Sequence, residues 1–205
     1  MTGVLDAGTL LIATHNAGKL LEFRKLLEPR GITVVSGAER SLPEPAETED
    51  SFVGNARIKA HAASRATGLP ALADDSGLQV AALDGAPGVH TADWAETPLG
   101  RDFDVAMART HDALLDRGAP QPWTARFCCT LVVAFPDGTD QVFEGVIDGH
   151  LIWPPRGRAG HGYDPMFVPE GHARSFAEMD WDEKNAISHR GRALAAFMHA
   201  VASGA

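Results

Sequence analysis

The stretch "LLIATHNAGKLLEF", residues 10–23, changes its hydrophobic period partway along, and that change decides the class of fold. Leu10 to Ala13 is a short apolar run suited to a buried strand. Leu20, Phe23 and Leu27 then recur at helical spacing until Pro29 and Gly31 stop the pattern. A second strand-like run, Ile32 to Val35, follows at once. Such switching continues along the chain and predicts an α/β protein. Between the first strand and its helix stands a polar turn, Thr14-His15-Asn16-Ala17-Gly18-Lys19. A helix start offers backbone N–H groups and a positive dipole end, and Lys19 adds an ammonium, so the turn reads as an anion site or as an ordinary helix start with a solvated lysine. It is not a Walker A loop, because Gly18-Lys19 is followed by Leu20 and no glycine stands five residues before Gly18.

The bulk properties limit what this turn can serve. At 205 residues and 44% hydrophobic content, the chain can fill one large α/β domain or two small lobes sharing a core. Lys and Arg number 18 against 27 Asp and Glu, a formal charge of −9, which disfavours a general nucleic-acid binder. Cys128 and Cys129 are adjacent within an apolar run, too close for an ordinary disulfide and without zinc-ligand spacing, and are expected as core residues of a cytosolic strand. There is no basic segment leading into a sustained apolar stretch at the N-terminus, and no run of about 18 apolar residues, so neither secretion nor a membrane partner is expected.

Further along, "SLPEPAETED" (41–50) is Pro- and acid-rich and reads as a loop, with Asp50 or Ser51 capping a helix that runs to about Thr67 and is closed by Gly68 and Pro70. Asn55 and Lys59 share one face of that helix. "PALADDSGLQV" (70–80) reads as a strand, a sharp acidic turn and a second extended piece. A looser stretch from Gly85 to Arg101 leads to a helix with Phe103, Met107, Thr110 and Leu114 on one side. "RFCCTLVVAF" and "DQVFEGVI" form a hairpin across Pro136-Asp137-Gly138-Thr139. An irregular loop, "WPPRGRAGHGYDP" (153–165), follows, and a last helix is expected from near Asp182 with Leu194, Phe197, Met198 and Val201 inward.

Polar islands interrupt this scaffold. In "ADDSG" (73–77) two carboxylates end an apolar run; neighbours on an extended backbone point to opposite sides, so Asp74 and Asp75 are expected to do different work. One can bind a hard cation or take a proton from water, or the pair can belong to an Asx-type turn. Glu47, with Glu49 and Asp50, can add an oxygen ligand or simply line an acidic surface loop. In "GHGYDP" (160–165) two glycines flank His161 and lead to the Tyr163 ring, which suits a flat ligand as well as a bare loop. "EKNAISHRG" (183–191) presents Lys184, Ser188, His189 and Arg190, a set of donors suited to carbonyl or phosphate oxygen. Taken jointly, the islands describe a site for a nucleoside triphosphate.

The ordered set "ATHNAGKLLEF", "ETEDSFVGNARIKA", "LADDSGLQVAALDGAPGVHTA", "RFCCTLVVA", "GHGYDPMFVP" and "EKNAISHRGRALAAF" resembles the Ham1/inosine triphosphate pyrophosphatase family over residues 10–197. The resemblance implies a single domain, 1–205, with a long central mixed β-sheet and flanking helices forming two lobes around a substrate cleft. It also implies hydrolysis of ITP, dITP and XTP to the monophosphate and pyrophosphate, with Mg²⁺ as cofactor, in a cytoplasmic homodimer.

Residue by residue, the resemblance gives Thr14, His15, Asn16, Ala17, Gly18, Lys19 and Lys59 to the triphosphate. Glu47, Asp74 and Asp75 go to the metal, with Asp75 as general base. Ser76 touches substrate, His161, Gly162, Tyr163 and Asp164 border the base and sugar, and Lys184, His189 and Arg190 read the purine's oxygen edge. Two positions depart from the common pattern: His15 stands where the family often has glycine, and His161 where an aromatic such as phenylalanine is frequent.

Overall fold

The opening stretch forms strand β1 (Thr9–Ile12) and helix α1 (Ala17–Leu27), followed by strand β2 (Thr33–Ser36), in a computed structural model that describes residues 8–14 and 17–203, with the backbone alone at 17, 18 and 22. β1 and β2 pair in parallel, from Thr9 opposite Thr33 to Ile12 opposite Ser36. A parallel pair needs a crossover, and α1 supplies it, burying Phe23 and Leu27 while Leu20 is half-buried.

Helix α2 (Phe52–Thr67) starts and stops where its capping residues dictate. The Ser51 hydroxyl accepts the Gly54 N–H at 3.1 Å, and Gly68 takes the left-handed conformation (φ 67°) while its N–H reaches the Ser64 carbonyl. Ala56 and Ala60 pack on Ala73, Val132 and Ala134, and Ala63 on Leu11 and Ala71. A face of alanines lets the helix lie close to the strands beneath it.

One expectation fails at the acidic motif. Residues 70–80 contain no turn: β3 (Ala71–Val80) is one continuous ten-residue strand with Asp74 and Asp75 in its middle. β3 lies inside the sheet between β1 and β6, with β1 pairing at Ala71 and Leu72, so strand pairing and not local turn propensity sets the DDSG backbone. The Asx-type turn is excluded with it, and the alternation of the two side chains is retained.

A small hairpin, β4 (Glu96–Thr97) with β5 (Gly100–Arg101), precedes helix α3 (Phe103–Asp116), which buries Met107, Thr110 and Leu114 as its spacing predicts. Strands β6 (Trp123–Ala134) and β7 (Asp140–Leu151) are each longer than the quoted runs and adjoin across residues 135–139; Cys128 and Cys129 are reduced and buried in β6. Strand β8 (Phe167–Pro169) pairs antiparallel with β7. The sheet order is β2-β1-β3-β6-β7-β8, with parallel and antiparallel pairs, a mixed sheet as expected. By internal contacts the chain divides into two compact units: Met1–Asp75 with Thr130–Glu144 and Ala193–Ala205, and Ser76–Cys129 with Gly145–Arg192.

The last helix is also corrected. It is two helices, α4 (Trp181–Ile187) and α5 (His189–Ser203), separated at Ser188, whose backbone is extended (ψ 160°). The Ser188 hydroxyl accepts the Gly191 N–H at 3.1 Å, so Ser188 caps α5. Leu194, Phe197 and Val201 are buried and Met198 is half-buried. A Cβ at Gly191 would overlap the Asn185 carbonyl oxygen, so the bend requires glycine there. Gly191→Ala is expected to cost about 1–3 kcal/mol by overpacking and to lower Tm by roughly 2–12 °C. A melting curve superimposable on that of the parent would refute the close approach.

Candidate active site

Two lysine–carboxylate sets lie in the first unit, and the strand geometry of β3 separates them. Asp74 and Asp75 are 7% and 8% exposed, and burial of a carboxylate is costly unless it is partnered. Lys19, in the first turn of α1, donates to Asp74 Oδ2 at 2.6 Å. Lys59, from α2, stands 3.6 Å from Asp75 Oδ1 and donates to Glu47 Oε1 at 2.8 Å. Burial alone drives the Lys59 ammonium toward its neutral form, but Asp75, the Glu47 hydrogen bond and Asp74 together outweigh it, and its pKa lies above the ordinary lysine value. The ammonium stays charged.

Glu47 reaches Lys59 because the acidic loop is fastened to α2. The buried Asn55 side chain accepts the Glu49 N–H at 3.0 Å, and a Cβ on Gly54 would come within 2.5 Å of the Glu49 Cβ. Asn55 and Lys59, four residues apart on one helix face, thus hold the backbone and the side chain of one loop. His15 and Asn16 lie outside the described residues; the Thr14 N–H bonds the Ile12 carbonyl at 2.9 Å and α1 begins at Ala17, followed by Gly18, so the helix start falls at the expected turn.

Among the described residues, no three His, Cys, Asp or Glu side chains form a ready-made metal cage. Glu47 and Asp75 nevertheless bracket one cationic position, now held by Lys59, with hard oxygen donors. One or two carboxylates completed by phosphate oxygens is the donor set that suits Mg²⁺, so the residues present fit such an ion.

A second set of polar groups lies wholly in the other unit. Gly160 (φ 78°) and Gly162 (φ 68°) bend the loop so that the His161 N–H donates to Asp164 Oδ2 at 2.6 Å; a Cβ on Gly160 would overlap that carboxylate. Asp164 is 2% exposed and pairs directly with the Lys184 ammonium. Tyr163 is 1% exposed, its hydroxyl donating to the Ala106 carbonyl at 3.3 Å and lying 3.2 Å from the Thr110 hydroxyl; burial raises its pKa. Of this motif, His161 is exposed and Gly162 half-buried, while Tyr163 and Asp164 sit beneath them.

Lys184, His189 and Arg190 are half-buried, on α4 and the first turn of α5. Arg190 Nη2 lies 3.4 Å from the Ser76 hydroxyl, joining positions far apart in sequence. Ser188 is a cap rather than a surface donor. Phe127 and Phe176, which carry the His189 ring and the Lys184 ammonium, gave no signal in the sequence beyond their hydrophobicity.

The βαβ start belongs to an α/β protein that carries the lysine-bracketed carboxylates in one unit and the donor-rich helix junction in the other. The chain belongs to the Ham1 family, whose model matches residues 10–200. It is 68% identical over 198 residues to a dITP/XTP pyrophosphatase of Ruegeria pomeroyi, covering 97% of each chain, and 56% identical over 190 residues to one of Gluconobacter oxydans, covering 93% of this chain and 89% of that protein. A solved HAM1 protein from Coxiella burnetii superposes with a TM-score of 0.90 at 38% identity, over 95% of this chain and 98% of the other.

Proposed function

We propose that this chain is a nucleoside triphosphate pyrophosphatase that hydrolyses dITP, ITP and XTP to the monophosphate and pyrophosphate, removing non-canonical purines from the nucleotide pool. The observation that carries the reading is the buried Asp74-Asp75 pair, each carboxylate opposed by its own lysine, in a chain of the Ham1 family. Asp75 accepts the proton of a water that attacks the α-phosphorus; the bond from that phosphorus to the bridging oxygen breaks, and pyrophosphate leaves with the electron pair. Lys19, Lys59 and the segment Thr14, His15, Asn16, Ala17 and Gly18 that leads into α1 hold the phosphate oxygens as charge spreads over them, with backbone N–H groups at the helix start among the donors. Glu47 and Asp75, with Asp74 beside them, would hold Mg²⁺, which would supply neutralisation of phosphate charge and orientation for an in-line attack.

Selectivity comes from donors. Lys184, His189 and Arg190 meet the C6 oxygen of hypoxanthine or xanthine, whereas adenine presents an NH₂ there and would face donor with donor; such sites discriminate by ~10⁴ or more. Ser76, His161 and Gly162 border the sugar and base, and Tyr163 and Asp164 hold that loop from below. The two units act as the lobes of one catalytic domain, and the protein works as a homodimer in the cytoplasm, needing neither nucleic acid nor membrane; no described helix is long and apolar enough to cross one.

The test is product analysis with Mg²⁺ across ITP, XTP, dITP, GTP and ATP. Pyrophosphate and monophosphate from the first three, with little turnover of ATP, is the expected result. Orthophosphate as the main product, or equal turnover of ATP, would overturn the assignment.

A further inference from the structure

Two of the three proposed base-reading donors rest on one aromatic cluster. The His189 imidazole stacks on Phe127, with centroids 4.8 Å apart and planes 14° from parallel. The Lys184 ammonium lies 5.4 Å from the centroid of Phe176. Phe127 and Phe176 contact each other, with centroids 6.0 Å apart, and both pack on Phe167, at 4.7 and 5.3 Å. These rings come from β6, from the turn after β8 and from β8 itself, and all three are buried.

Resting on the pyrophosphatase reading above, we infer that Phe127 and Phe176 are specificity-determining positioning residues, which fix the donors that distinguish a C6 oxygen from a C6 amino group. An imidazole pressed flat against a buried ring keeps its plane, and its N–H directions lie in that plane. Rotation about its ring-bearing bond would lift it off Phe127. The Lys184 ammonium, on a flexible stem, is held by the Asp164 carboxylate on one side and by the electron-rich Phe176 face on another. Donor-on-donor rejection of adenine works only while the donors cannot turn away. A loosened imidazole can swing its N–H aside or present its acceptor nitrogen to the adenine amino group, so the first property lost is rejection of the wrong base.

The experiment uses Phe127→Leu and Phe176→Leu, which keep the sites apolar and remove the flat face. Leu114→Ala, a fully buried change in the same core cluster, serves as a control for lost packing. The platform predicts that kcat/KM for ITP over ATP falls about tenfold or more in each Phe variant, mostly through KM, with kcat for ITP within about twofold. Leu114→Ala should lower Tm by several degrees or more and leave the ITP:ATP ratio unchanged. Two variants are made so that a folding failure of one leaves the other to decide. An unaltered ratio in a folded Phe variant, or an equal fall in Leu114→Ala, overturns the platform. Parent protein that releases pyrophosphate with no preference for ITP overturns instead the reading on which it rests.

Discussion

Asp75→Asn is expected to lower kcat for ITP by about 10²- to 10⁴-fold, the range that a positioned general base supplies, while leaving nucleotide binding largely in place. Asparagine has nearly the shape of aspartate, so the middle of β3 keeps its packing, yet the amide cannot take a proton from water. Loss of one carboxylate from a buried site would ordinarily strand the opposing cation. Here Lys59 keeps its 2.8 Å hydrogen bond to Glu47, so the ammonium remains partnered and the fold is expected to hold. Asp75 leads the contributions that raise the Lys59 pKa against burial, so in the variant that pKa moves down from its raised position. The rate and binding arms therefore separate: pyrophosphate release collapses, whereas calorimetric affinity for ITP changes much less. Turnover at the parent rate would remove Asp75 from the role of base, and a parallel loss of ITP binding measured without Mg²⁺ would show that the carboxylate holds the nucleotide by more than its place at the metal.

The first half of the chain was legible in the sequence because its signals are local. A period change over residues 10–23, a Ser51 cap and a Gly68 stop each act within one or two helical turns, and the structure places α1 and α2 where those signals put them. DDSG misled for the opposite reason: its turn propensity is local, whereas the pairing that places β3 inside the sheet is not. SHRG was informative in a way that spacing alone could not disclose. Ser188 ends one helix and caps the next, and Gly191 is required by a carbonyl six residues back, so His189 and Arg190 project from a helix start and not from the middle of a long helix. The Phe127 platform under His189 could not be read at all, since nothing in an apolar β6 residue tells which polar ring will cross its face. The same holds for Asp164, whose burial and pairing with Lys184 no local signal in GHGYDP discloses.

That pairing carries the second large effect. Lys184→Met leaves the Asp164 carboxylate, 2% exposed, stripped of its ammonium, with the His161 N–H still donating to it. Removal of one member of a buried ion pair costs about 3–5 kcal/mol, and because Lys184 itself is 21% exposed the lower end applies, about 3 kcal/mol. For a chain of this length that is a fall in Tm of roughly 6–12 °C. An exposed pair gives the comparison: Arg117 and Asp84 are 2.7 Å apart but 52% and 79% exposed, and Arg117→Met should change stability by no more than about 1 kcal/mol. The double variant Lys184→Met with Asp164→Asn is decisive. It removes the stranded charge while an amide can still accept the His161 N–H, so it should recover part of the lost Tm, a coupling that independent sites do not show. It should not recover selectivity, since the ammonium proposed to meet the C6 oxygen is gone in both variants. A single variant as stable as the parent, or a double variant whose losses simply add, would show that the pair does not hold the loop. Recovery of Tm without recovery of the ITP:ATP ratio would separate the two roles of Lys184, one toward Asp164 below it and one toward the purine.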